Sequence, residues 1–87
     1  MVSARVKVVN TQGLHMRPAQ LLVNALSRFE SEVTLVANGK SINGKSIMYL
    51  MTACLKQGDE VEIQCDGADE KKALEEAVAL FQSGFGE

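Results

Sequence analysis

From Val61 to Cys65 the chain reads Val-Glu-Ile-Gln-Cys, apolar at every second position. Side chains of a strand point alternately to its two faces, so this run suits a strand with one face buried and the other wet. Ala4-Arg5-Val6-Lys7-Val8 repeats the pattern. Strands of parallel sheets, covered on both faces, read instead as continuous apolar runs. The alternation therefore predicts an antiparallel sheet with helices covering one side only.

The remaining elements fit between these strands. Val33-Thr34-Leu35 starts a second strand, and Asn38-Gly39 is a strong hairpin signal, because a two-residue I′ turn needs positive φ at both positions. A short third strand around residues 40–42 returns antiparallel. Ahead of the second strand, apolar residues recur at Pro18, Leu22, Ala25 and Phe29, with Leu21 and Leu26 widening the stripe, which is helical spacing. A second, short helix runs from Ser46, its N-cap, to about Thr52. Gln57-Gly58-Asp59 turns the chain into the strand at 61–65. Asp69 can cap a final helix with Ala73, Leu74, Ala77, Val78 and Phe81 as its buried stripe, ended by Gly84 and Gly86. The order is βαββαβα. It predicts an α+β open-faced β-sandwich: a four-stranded antiparallel sheet with three helices on one face. With 87 residues, one domain over 1–87 is expected, and burying about 60–65% of the unfolded surface takes most of the apolar side chains.

Composition excludes several classes. Met1 to Lys7 is short and interrupted by Arg5 and Lys7, so no signal-like leader is expected, and no apolar run is long enough to insert into a membrane. The expectation is a cytoplasmic monomer. Ten residues separate Cys54 from Cys65, and with one histidine and no clustered thiols a metal site is not expected, so both cysteines read as structural. Residues 1–45 carry six basic and two acidic side chains, whereas the rest carry three against nine. The basic half suits a phosphorylated or acidic partner surface. An acidic chain overall, with few aromatics and no stacking series, is a poor fit to nucleic acid.

The basic half contains Gly13-Leu14-His15-Met16-Arg17-Pro18-Ala19, which sets the single histidine at the entrance of the first helix. Pro18 suits a first turn, since its ring presets φ and its missing N–H has no helical partner to lose. The N–H groups of that turn point back toward His15, and the helix dipole adds partial positive charge there. Arg17 adds a full charge and a fork of donors shaped for phosphate oxygens. A phosphoryl group accepted by the imidazole would land among donors. A histidine before a helix is, taken alone, more often a cap or a surface residue. The septet as a whole reads as a phosphohistidine site.

Gly-Leu-His-x-Arg-Pro-Ala resembles the active-site signature of the HPr family, the histidine-containing phosphocarriers of the bacterial phosphotransferase system. The resemblance extends over essentially the whole chain, including Asn43-Gly44-Lys45-Ser46-Ile47-Met48 and the C-terminal helix. It implies that His15 accepts a phosphoryl group through Nδ1 from phosphorylated enzyme I and passes it to an EIIA-type protein, with Arg17 holding the group. No metal or organic cofactor is implied, and the chain would be a stoichiometric carrier, not an enzyme. Ser46 matches a serine that a regulatory kinase phosphorylates in many members, which brings in a serine kinase and phosphorylase as partners. Met16, Gln20, Ile47, Met48 and Met51 fall where the family docks its partners. With Leu50 inward, Ile47, Met48 and Met51 could share an outward face. Met16 is a departure, since members usually carry alanine there. The end Ala79-Leu80-Phe81-Gln82-Ser83-Gly84-Phe85 resembles the nitrogen-related branch as much as the sugar branch. A mainly regulatory binding module, controlled at His15 or Ser46, is the alternative.

One further pattern competes. Asn38-Gly39-Lys40-Ser41-Ile42 is followed at once by Asn43-Gly44-Lys45-Ser46-Ile47, so Gly39 to Ser46 satisfies the P-loop pattern G-x-x-x-x-G-K-[ST]. Three considerations oppose a nucleotide hydrolase. P-loop sheets are mostly parallel and read as continuous apolar runs. The hairpin at Asn38-Gly39 puts a strand inside the supposed phosphate loop. A nucleoside triphosphate site also needs a metal-binding element and a larger scaffold.

Overall fold

A computed structural model describes residues 1–86. It contains strand β1 (Val2–Lys7), helix α1 (Met16–Leu26), strands β2 (Glu32–Ala37) and β3 (Lys40–Asn43), helix α2 (Ile47–Ala53), strand β4 (Glu60–Asp66) and helix α3 (Glu70–Gln82), followed by a 3-10 turn at Gly84–Gly86. The four strands form one antiparallel sheet in the order β1-β4-β2-β3. The fold is the expected α+β open-faced sandwich. β4, last in sequence, lies between β1 and β2, which explains why Val61, Ile63 and Cys65 are completely buried. The alternation is kept in every register: Val6 opposes Val61, Leu35 opposes Ile63 and Ile42, and the charged or polar neighbours face outward.

The hairpin forms as its sequence demands. Asn38 and Gly39 have φ of 53° and 75°, the I′ combination, and the ladder opens directly with Ala37 opposite Lys40. β3 thereby occupies the middle of the P-loop pattern. Lys45, the would-be phosphate lysine, instead donates its Nζ to the carbonyl of Phe29 at 2.6 Å.

Helices α1, α2 and α3 pack over the apolar sheet face, with α3 on β1 and β4 and α2 against β3. Phe81, Leu22, Leu26, Leu50 and Leu35 are the largest fully buried side chains, each worth about 1.5–3 kcal/mol of transfer from water. Some expectations are corrected. The buried face of α1 is Pro18, Ala19, Leu22 and Leu26, while Leu21 is 42% exposed and Ala25 and Phe29 are only half-buried. α1 also meets α2 and α3, and Leu21 lies off the face so buried. Ala73, Ala77 and Phe81 form the buried line of α3, with Leu74 and Val78 at its margins. Asp69 holds the N-cap position of α3, but its side chain makes no cap bond to that helix. Its carboxylate is turned to Glu30 and Ser31 instead. Cys65 is a core thiol, pushed up from its usual pKa by burial. Cys54 is not in the core. It is exposed at the left-handed C-cap of α2 (φ 51°), and both cysteines are free thiols.

Candidate functional site

His15 is the N-cap residue of α1, in extended backbone conformation (φ −80°, ψ −171°) and half-buried. Its carbonyl accepts the first helical bond, from Ala19 N–H at 3.1 Å. Its side chain makes no cap bond to the helix. In this register the N–H groups of Met16 and Arg17 precede the first i→i−4 bond, and Pro18 contributes none. They project from the helix end beside His15. Arg17 is exposed in the same turn.

The segment before His15 explains how that position is kept. Gly13 has φ of 69°, and a Cβ there would overlap the carbonyl oxygen of Leu55 and lie 3.0 Å from Lys56 Cα. The next residue, Leu14, is buried, and its N–H donates to that same Leu55 carbonyl at 3.0 Å. Glycine is required both for the left-handed turn and for the close approach. Upstream, Val8 N–H donates to Asp59 and Val8 carbonyl accepts from Gly58, at 3.0 and 2.8 Å. The loop is thus laid along the turn that joins α2 to β4.

Ser46 stands elsewhere. It is the N-cap of α2, its Oγ accepting from Tyr49 N–H at 3.4 Å. Leu55, beside the His15 loop, follows the C-terminal end of α2, whereas Lys45, just before its N-terminal end, reaches Phe29 beyond the C-terminal end of α1. The two helices therefore run oppositely. His15, which precedes α1, and Ser46, which precedes α2, stand at opposite ends of the pair.

The proposed docking residues divide into two groups. Met16 (56% exposed) and Gln20 are open on α1, Gln20 donating to Asn24 at 3.0 Å. Of the three expected on α2, Met48 is the exposed one, at 73%. Ile47 and Met51 are half-buried and packed against the core, so the outward face of this helix is Met48 with Tyr49, which is 60% exposed. The spacing argument missed Tyr49 because Leu50 inward leaves both its predecessors outward. Asn10 was also missed: a loop asparagine carries no local signal, yet it is buried and donates Nδ2 to Gly84 carbonyl at 2.8 Å.

An imidazole at a helix N-terminus, with an exposed arginine two residues on, suits the holding of a phosphoryl group at a protein surface. Comparison with known proteins carries this to a family. The family model PTS-HPr, described as the PTS HPr component phosphorylation site, matches residues 2–83. The phosphocarrier protein HPr of Treponema pallidum is 44% identical over 87 residues, covering 100% of this chain and 99% of that protein. The crystal structure of HPr from Thermoanaerobacter tengcongensis superposes with a TM-score of 0.95 at 38% identity, covering 100% and 98% of the two chains. Crh of Bacillus subtilis, described as a catabolite repression protein whose swapped domain makes an intertwined dimer, superposes with a TM-score of 0.77 at 43% identity, over 97% of both chains. The fold is that of the phosphocarriers of the phosphotransferase system. The chain belongs to the HPr family.

Among the described residues, no helix is long and apolar enough to cross a membrane.

Proposed function

We propose that His15 is the phosphoryl acceptor of this carrier, charged by phosphorylated enzyme I and discharged to an EIIA-type protein. The observation that carries this reading is the N-cap placement of the ring, beside the projecting N–H groups of Met16 and Arg17. In the forward step the Nδ1 lone pair forms a bond to phosphorus as the bond between phosphorus and the donor's nitrogen breaks. The pair from that bond leaves with the donor. Arg17 and the two N–H groups offset the charge on the equatorial oxygens during transfer. The second transfer runs the same chemistry with the EIIA histidine as nucleophile. The chain ends each cycle unchanged and has no turnover of its own.

Met16, Gln20, Met48 and the margins of Ile47 and Met51 form the docking surface in this reading, and the carrier works as a cytoplasmic monomer. Ser46 is a regulatory phosphorylation site for a serine kinase and phosphorylase. Its position at the N-terminus of α2 supports this, because the N–H groups there welcome a phosphate.

The alternative, a mainly regulatory module, draws on the likeness to Crh. One experiment separates them. Wild type and His15→Ala are incubated with enzyme I from the sugar and nitrogen branches, phosphoenolpyruvate and magnesium, and the label is tested for acid lability. An acid-labile label on wild type, absent from His15→Ala and passed on to EIIA, is expected. Label that is acid-stable, or undiminished in His15→Ala, removes His15 from its role. Label that never moves to EIIA selects the regulator.

A further inference from the structure

We propose that Asn10 is a positioning residue for His15, tying the loop that delivers the histidine to the C-terminal turn of the chain. This rests on the carrier reading above. Asn10 is only 6% exposed, and its Nδ2 donates to Gly84 carbonyl at 2.8 Å across 74 positions of sequence. The backbone carbonyl of the same residue accepts from Gly13 N–H at 2.9 Å. One residue thus joins the C-terminal turn, through its side chain, to the bend two residues before His15, through its main chain.

The acceptor end is constructed to present that carbonyl. Gly84 and Phe85 are both left-handed, with φ of 66° and 57°, a conformation that a phenylalanine rarely adopts. Phe85 is held in it by burial, its ring meeting Phe81 edge-on with centroids 5.0 Å apart. The turn packs against α3 and α1. On its other side the loop is held by Leu14 N–H on Leu55 carbonyl. His15 therefore leaves a segment fastened from two directions, and Asn10 supplies the fastening on the C-terminal side. Since small displacements of a reacting group cost large factors in rate, releasing one fastening should slow transfer without removing the nucleophile.

The test compares wild type, Asn10→Ala, Asn10→Asp and Ser31→Ala. Asn10→Asp keeps size but puts an acceptor against the Gly84 carbonyl. Ser31→Ala lowers stability at a site that does not touch the loop, through the bond between Ser31 and Asp69. Single-turnover transfer from phosphorylated enzyme I, thermal melting and the nitrogen-15 resonances of the His15 ring are measured on each. The proposal expects a five- to ten-fold lower maximal rate for both Asn10 variants, with half-saturation by enzyme I within two-fold of wild type. It expects shifted His15 ring resonances in both, and neither change in Ser31→Ala. Wild-type transfer and unshifted resonances in Asn10→Ala overturn it. Equal slowing in Ser31→Ala also overturns it, because the effect is then one of general stability. If wild type accepts no phosphoryl group at all, the carrier reading fails, and the ring resonances alone decide whether Asn10 sets the histidine.

Discussion

The carboxylate of Asp69 accepts hydrogen bonds from both the backbone N–H and the hydroxyl of Ser31, 38 positions earlier in the chain. It takes a third from Glu30 N–H at 2.9 Å. The N-cap residue of α3 is thereby spent on fastening the start of β2. Ser31 is completely buried, so without Asp69 its hydroxyl and N–H would lose their partner in the core margin.

The Ser31 hydroxyl and the Glu30 and Ser31 N–H groups hold the Asp69 carboxyl at about 2, below its usual range. A depressed folded-state pKa gives stability that is fully present above the unfolded pKa, near 4, and is lost as pH falls toward 2. Melting temperature should therefore drop through that window in wild type, and more shallowly in Asp69→Asn. Thermal melts from pH 7 to 2 check this. An Asp69→Asn curve parallel to wild type would show that other carboxylates carry the acid transition.

Gly13→Ala should destabilise the chain by about 1–3 kcal/mol, from left-handed backbone and the overlap with Leu55 carbonyl. At 87 residues that amounts to a fall of roughly 5–15 °C in melting temperature. Hydrogen exchange at Leu14, whose N–H bonds Leu55, should quicken more than exchange at Ile63 in the sheet centre. Equal loss of protection at both sites would mean global destabilisation without a local shift.

Lys45 should prove a structural residue. Lys45→Ala removes the ammonium from the Phe29 carbonyl and should cost about 1 kcal/mol. Calorimetric titration with Mg-ATP should give no binding heat for wild type or variant. Micromolar binding by wild type that vanishes in Lys45→Ala would restore the nucleotide reading.

Ser46→Asp should slow transfer from enzyme I about ten-fold at low salt, and less at high salt, since exposed charges are screened. Aspartate is a good N-cap, so its melting temperature should stay near wild type. Ser46→Ala should lose only about 0.5 kcal/mol, because the bond to Tyr49 N–H is long. Normal transfer by Ser46→Asp at low salt would place Ser46 outside the docking surface. Ser46 lies at the far end of the helix pair from His15, so the slowing would act through docking and not on the ring.

Elements whose cause is local were legible in the chain itself. Alternation marked β1 and β4, Asn38-Gly39 demanded the I′ hairpin, Ser46 capped α2, and the septet put His15 before α1. Each depends on backbone φ/ψ and side-chain period within a few residues. What required the folded chain depends on contacts between distant segments. Insertion of β4 between β1 and β2 settled which strand is wholly buried. Packing of α1 against its neighbours moved Leu21 outward, and the opposed run of α1 and α2 set His15 and Ser46 apart. Asp69 left its helix for Ser31, and Asn10 found Gly84, because a buried polar group takes whichever partner the tertiary structure brings within reach. That partner cannot be read from a residue's own neighbours in the chain.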